Sequence, residues 1–462
     1  MTRRLPAVSR RATALAATAL AIAAAALGGF AAWQRETIVL AAEGYVFGYP
    51  LVVMDVTRAN AAQVIGPENA LRRVRAFPDA RFRDVVRPNV DTLYTTAFID
   101  TARGPWVFEM APNALRYEVM PFLDAWTDVI ATPGTRTSGA SGARLLIAAP
   151  GWRGDVPAGL ELVRAPTRIV WLIGRTQTNG AADFPLVHRL QDGVTLRPLA
   201  AWRAGRDEPA PDWRAAQPAP APPVEQMRAM DVDAFFSRLA RLMTDNPPRA
   251  ADAPMLARLA RLGVAPGRPP RWSVAERWAA ALGRRVADWR IARELARPRN
   301  VVNGWSTPPA ILGRYGTQYD VRAVVAMVGL GANLPEDATY PNTRVDAAGE
   351  PLNGSRRYRL RFAAGALPPV DAFWSVTAYG PDDFLIDNPL NRYALGDRDP
   401  LVAGADGSIE LLVQADPPPP ERRANWLPVK AGQDFVLNAR LYRPRAQALD
   451  GRWSMPPVER LE

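Results

Sequence analysis

One stretch limits what this chain can fold into more than any other. Six of the 21 residues from Ala204 to Val224 are proline, including Pro218-Ala-Pro-Ala-Pro-Pro223. Proline fixes φ and lacks the amide donor, so neither a helix interior nor a central strand is open to this segment. It is predicted to be an extended linker, and it separates two regions of different hydrophobic period.

Residues 41–203, ahead of it, consist mainly of short β-type runs. Pro105–Ala111, Leu115–Met120, Leu145–Ala149 and Ile169–Gly174 are the clearest, and turns such as Gly151-Trp-Arg-Gly154 punctuate them as a sandwich or barrel requires. Residues 225–335 switch to helical spacing. Phe235, Leu239 and Leu242-Met243 fall on one helix face, and Ser273 with Glu276 makes a capping box for a helix expected to run to Pro298. Val274, Trp278, Leu282, Val286 and Trp289 read as the core-packing stripe of that helix. Tyr319–Leu330 is a further helix. Residues 336–462 return to strands, with alternation over Arg356–Phe362, Phe373–Tyr379, Ser408–Gln414 and Asp434–Tyr442. The predicted fold class is multidomain α+β: two β-rich modules, sandwich or jelly-roll-like, with an intervening helical section.

Residues 1–33 place Arg3, Arg4, Arg10 and Arg11 ahead of 22 uncharged residues, Ala12–Trp33. About 20 helical residues span a bilayer core, and basic residues before a span keep the N-terminus cytoplasmic. Two readings follow. The segment is an uncleaved inner-membrane anchor with the domains in the periplasm, or a signal cleaved near Gly29 to Ala31 that leaves a periplasmic or secreted protein.

Composition removes several chemistries. The chain has no cysteine, one histidine (His188) and one lysine (Lys430), so thiolate metal sites, disulfides and cysteine nucleophiles are excluded. There is no P-loop run, no GxSxG elbow and no HExxH helix. His188 has apolar neighbours and reads as a satisfied buried histidine. The net charge of +11 comes from the N-terminal segment and from residues 225–300, which hold 15 arginines against eight acids. No nucleic-acid reading motif accompanies that charge, so nucleic acid is not an expected partner. A solvated face, an acidic partner or anionic lipid suits it better.

The densest polar run is Arg87-Pro-Asn-Val-Asp-Thr-Leu-Tyr94. Pro88 is expected to hold Arg87 extended, while Asn89 and Asp91 favour turns. A loop feeding a strand at Leu93–Ile99 would present Asn89, Asp91 and Tyr94 to one site. Asp91, Asp124 and Asp128 are the candidates for an oxygen-ligated divalent metal, or for divided acid and base roles. Gly134–Gly139 offers Arg136 to an anion, and the turn-rich Tyr379–Tyr393 offers Asn391 and Arg392 beside Asp382, Asp383 and Asp387. The same residue types also build Asx-turns and hydrated corners. No cofactor is identified.

These phrases carry a resemblance. The chain resembles bacterial proteins that pair domain-of-unknown-function families 1254 (N-terminal) and 1214 (C-terminal). The first likeness runs from Tyr45-Val-Phe-Gly-Tyr-Pro-Leu51 through the Arg87–Tyr94 phrase and Gly134-Thr-Arg-Thr-Ser-Gly139 to about residue 200. The second includes Tyr358–Phe362, Ala372–Tyr379, Asp387-Asn-Pro-Leu-Asn-Arg-Tyr393 and Asn425-Trp-Leu-Pro428. It implies two β-rich modules in an exported or envelope-associated protein, and it carries no catalytic set. The leading expectation is a small polar or anionic ligand bound by Asn89, Asp91, Tyr94, Arg136, Asn391 and Arg392. The rivals are a carboxylate- or metal-dependent hydrolase and a membrane-tethered interaction module with a basic helical face. Oligomeric state is left open.

Overall fold

A computed structural model describes residues 18, 21, 25–83, 86–114, 116–207, 213–216, 218–297 and 299–461. Arg3, Arg4, Arg10, Arg11 and much of the apolar run lie outside the described residues. From Ala25 to Trp33 the run is helical and largely exposed, and after Gln34 it continues into α1, Arg35–Val64. This helix lies within the region read as β runs. It is apolar on nearly all sides, and 78% of its most apolar 18-residue window is buried inside the protein. A helix that is hydrophobic all round belongs in a core or a bilayer, and α1 occupies a core.

The N-terminal β module is built on β1 (Thr92–Asp100), β2 (Trp106–Met110), β3 (Ala143–Ala148) and β4 (Ile169–Gln177). β1 and β4 pair antiparallel at the centre of a six-stranded sheet, and β2 and β3 at the centre of a four-stranded one. Period-two alternation decides which face is dry. Ala97 and Ile99 of β1 and Val170 and Leu172 of β4 meet Phe108 and Ile147 in the core between the sheets. Of the expected run at Leu115–Met120, Leu115 lies outside the described residues and the strand covers Glu118–Val119.

Residues 208–212 and 217 of the linker lie outside the described residues; its described part meets the end of α1, where the Trp213 indole donates to the Ala62 carbonyl (2.8 Å) and the Ala216 amide to the Gln63 carbonyl (2.8 Å). Beyond it lie α2 (Val232–Asp245), α3 (Val274–Leu295) and α4 (Tyr319–Val328). Ser273 and Glu276 form the capping box foreseen for α3. The Phe235–Leu239–Met243 face is buried against α1.

The stripe assigned to α3 is on the wrong side. Trp278 and Trp289 are 66% and 57% exposed, and Val274 and Val286 are exposed with them. The buried face is Ala280, Gly283, Ala287 and Ile291. Small residues win because they let two helix backbones approach closely: a Cβ on Gly283 would stand 2.5 Å from the Ile38 carbonyl oxygen.

The C-terminal module uses β5 (Arg357–Phe362), β6 (Val370–Tyr379), β7 (Ile409–Gln414) and β8 (Val436–Pro444). β8 and β6 pair inside a seven-stranded sheet, and β5 and β7 pair inside a four-stranded one. Leu360, Leu411, Val413, Trp374, Val376, Leu437 and Leu441 fill the space between them. All four sheets are open, so the class is α+β with two sandwiches and a helical layer, as expected.

Candidate functional site

The second faces of the two large sheets are turned toward one another. On β6 and β8 the residues that avoid the core are Phe373, Ser375, Thr377, Tyr379, Asn438, Arg440 and Tyr442, and all are buried. Strands buried on both faces must satisfy their polar side chains from within the protein. Here the partners come from the Arg87–Tyr94 phrase and from β4.

Asp91 is fully buried. It is ion-paired with Arg398 and accepts from the Ser375 hydroxyl at 2.7 Å and from the Tyr442 phenol at 3.4 Å. Arg398 also donates to the carbonyls of Asp91 (3.2 Å) and Thr178 (2.7 Å), and its guanidinium stands 4.2 Å from the centre of the Phe373 ring. Asn89 starts the strand as an Asx-turn, accepting from the amides of Asp91 (2.7 Å) and Thr92 (3.2 Å), and it also donates to the Tyr442 phenol oxygen (3.1 Å). The turn is therefore a local structural device and an inter-module contact at once.

Arg87 departs from the extended conformation that Pro88 was expected to impose. Its φ is +51°, a region costly for a non-glycine residue. The reason lies across the seam, where its amide donates to the Asp383 carbonyl (2.7 Å) and its own carbonyl accepts from Arg440 (3.0 Å).

Two further guanidiniums are buried here without a carboxylate partner among the described residues. Arg440 donates to the Thr377 hydroxyl (2.8 Å), the Arg87 carbonyl and the Tyr379 phenol oxygen (2.6 Å). Arg175 donates to the carbonyls of Ile173 (3.0 Å) and Gly331 (2.7 Å) and to the Asn333 side chain (2.7 Å), and it lies 5.1 Å from the centre of the Tyr94 ring. Tyr340 feels both charges: burial pushes its phenol up, and Arg175 and Arg440 pull it back. Tyr94 and Tyr340 keep partial exposure as residues, and the Tyr340 phenol oxygen accepts from the Asn333 side chain at 2.8 Å.

Arg136 clamps a neighbouring point of the same seam, donating to Asp337 at 2.7 and 2.9 Å, with Thr132 on the same carboxylate at 2.9 Å. Tyr117 joins the two parts: its hydroxyl donates to the Asp337 carbonyl (2.9 Å) and its ring meets Tyr442 edge-on at 5.5 Å. Asn391 and Arg392 sit elsewhere. Asn391 accepts from Tyr393 (3.1 Å), and Arg392 ties the carbonyls of Arg423 (2.7 Å) and Trp426 (3.0 Å) within the C-terminal module. His188 is half-buried, with Nε2 at 2.8 Å from the Arg75 carbonyl.

Asp124 and Asp128 belong to a separate network under the helical layer. Asp124 accepts from the amides of Trp126 (2.9 Å) and Asp128 (3.0 Å), while Asp128 pairs with Arg249 and accepts from the Tyr315 amide (2.9 Å). Beside them, buried Arg322 lies 5.3–5.9 Å from the ring centres of Tyr319, Trp126 and Phe47. Among the described residues its three guanidinium nitrogens have no hydrogen-bond partner, and a carboxylate oxygen of Asp128 is 4.0 Å away. Among the described residues no three or more Asp, Glu or His side chains gather as metal ligands. Asp124 and Asp128 share this network, while Asp91 is held in the other, by Arg398 and Ser375.

Burial, reinforced by Asp128, pushes Asp124 up to about 7. A carboxyl raised in the fold binds a proton that the unfolded chain releases, so its contribution is fully present below pH 3.8 and lost as pH rises to about 7. Asp124→Asn keeps the side-chain acceptor and removes the charge. Its thermal midpoint is expected to match the wild type at pH 4 and exceed it by several degrees at pH 8, checked by melting across that range.

Sequence reasoning missed Arg175, Arg440, Arg398 and Tyr340. A lone arginine in an alternating strand reads as solvent-facing, and only the covering module makes it interior. The available signal was Tyr94 and Tyr442 recurring beside arginines at alternate strand positions.

Comparison with known proteins agrees with this layout. A family model described as protein of unknown function (DUF1254) matches residues 68–198, and one described as protein of unknown function (DUF1214) matches residues 337–446. The pairing is the one the sequence phrases implied. The crystal structure of the VPA0106 protein from Vibrio parahaemolyticus is similar over 92% of this chain and 100% of that one, with a TM-score of 0.69 and 25% identity. An uncharacterised protein from Burkholderia cenocepacia aligns over 94% of this chain and 96% of its own, at a TM-score of 0.44 and 14% identity. No curated protein matches.

Proposed function

On the premise that the chain pairs a DUF1254 segment with a DUF1214 segment, we propose that it is an envelope-resident binding protein that holds a small anion at the seam between its β modules. One observation carries the reading. Arg175 and Arg440 are buried cations bonded only to neutral acceptors, and a buried charge without a counter-charge is costly. A carboxylate or phosphate beside Tyr94 and Tyr340 would supply that counter-charge and accept from both phenols. Asp91 takes no direct part, being neutralised by Arg398. The apolar run at Ala12–Trp33 favours an envelope location, as anchor or as signal.

The test uses the thermal midpoint of the full chain against inorganic phosphate, sulfate and small mono- and dicarboxylates. An anion at 100 times its Kd stabilises the fold by about 2.7 kcal/mol, a shift of several degrees. Tyr340→Phe and Tyr94→Phe, which keep the rings and the arginines, are each expected to weaken the effective anion by about tenfold or more, in line with about 1.5–3 kcal/mol for a hydrogen bond to a charged group. No shift with any anion class, or a shift untouched by both variants, overturns the reading.

A further inference from the structure

The misjudged face of α3 points to a second role. Trp278, Trp289, Val274 and Val286 are exposed along one helix. Arginines surround them: Arg285 and Arg293 are exposed with them, and the Arg293 guanidinium lies 5.2 Å from the centre of the Trp289 ring. A groove of about 570 Å³ runs beside Trp278, lined by Arg284, Arg285 and Asp288 of α3 and by Asp231 and Asp233 at the start of α2. Exposed tryptophans among arginines are the composition of a helix lying in a membrane interface, where rings sit at headgroup level and guanidiniums meet lipid phosphates.

Placement supports the same occupant. The buried face of α3 packs through Gly283 on Ile38, Ala41 and Ala42 of α1, close to the point where Ala25–Trp33 enters α1 as an exposed helix. The apolar segment that leads into α1 therefore brings α3 close to whatever bilayer that segment enters. On this face Arg285 and Arg293 carry charge complementary to anionic headgroups, whereas Arg277, Arg284 and Arg290 of the same helix are ion-paired with Asp233, Asp288 and Asp320.

We infer that the Trp278–Trp289 face of α3 is a membrane-surface contact for anionic lipid, which holds the helical layer flat against the bilayer. The chain has no native cysteine, so single labels report cleanly. Trp278→Cys, Trp289→Cys and, as a control on the C-terminal module, Val402→Cys would each carry a polarity-sensitive fluorophore. The full chain is reconstituted into phosphatidylcholine vesicles with or without phosphatidylglycerol, and brominated lipid serves as quencher.

Labels at 278 and 289 are expected to be quenched several-fold more than the label at 402 when phosphatidylglycerol is present. The difference should shrink in high salt and in the double variant Arg285→Gln, Arg293→Gln. Equal quenching at all three positions overturns the inference. So does shielding of 278 and 289 in detergent without lipid, which would mean that another part of the chain or a second copy covers the face.

Discussion

Asp91→Ala is expected to cost about 3–5 kcal/mol of stability, the usual result of breaking a buried ion pair from one side. The loss has a stated origin. Asp91 is the carboxylate that pairs with Arg398, and it also receives Ser375 and Tyr442 from the opposite module. Its removal leaves Arg398, Arg175 and Arg440 together as buried cations. Urea unfolding followed by tryptophan fluorescence provides the check. The variant should unfold in two steps, because the seam fails before either apolar core does. Adding Arg398→Met removes the stranded charge, and the double variant is expected to be more stable than Asp91→Ala alone. A single variant as stable as the wild type would mean that the seam is not what joins the modules.

The second large effect reverses an ordinary rule. Glycine inside a helix usually gives up about 1 kcal/mol relative to alanine, so Gly283→Ala would normally stabilise α3. Here the new methyl would stand 2.5 Å from the Ile38 oxygen, 2.8 Å from the Ala41 Cβ and 3.1 Å from the Ala42 nitrogen. Two of those three are backbone atoms and cannot rotate away. Overpacking of this kind costs about 1–3 kcal/mol. Gly283→Ala is therefore expected to lower stability, and Gly283→Leu to separate α3 from α1 and prevent the helical layer from forming. Circular dichroism and thermal melting of the two variants give the answer, and a gain in Gly283→Ala would refute the close approach.

What the sequence revealed follows from how local each signal is. Strands such as β3, β4 and β7 were visible because alternation and turn residues are properties of a few neighbouring residues. The capping box at Ser273 is equally local, and it marked the start of α3. The buried side of α3 was not visible, because hydrophobicity favours Trp278 while packing distance favours Gly283, and only the partner helix decides between them. Asn89, Asp91 and Tyr94 were found together since one turn presents all three. Their counterparts Arg175, Arg398 and Arg440 come from strands and loops far along the chain, and no spacing rule links residue 91 to residue 398. Arg392 and Asn391 looked like site residues because a hydrogen-bonded corner and a binding loop use the same side chains.

The burial of α1 also has a consequence in time. Phe47 on this first helix meets Trp126 and Tyr319, and the latter is 272 residues downstream. At roughly 5–20 residues per second of synthesis, that partner emerges about 15–55 s after Phe47 does. Until α2 and α3 emerge nothing of the helical layer covers this most apolar helix, and until α4 does the layer is incomplete. Contacts of such long sequence separation also slow the search for the native state. A chain built this way depends on something else shielding residues 35–64 until its last helix arrives, and a nascent chain stalled before residue 319 is expected to be bound by chaperone or to aggregate rather than to fold in part.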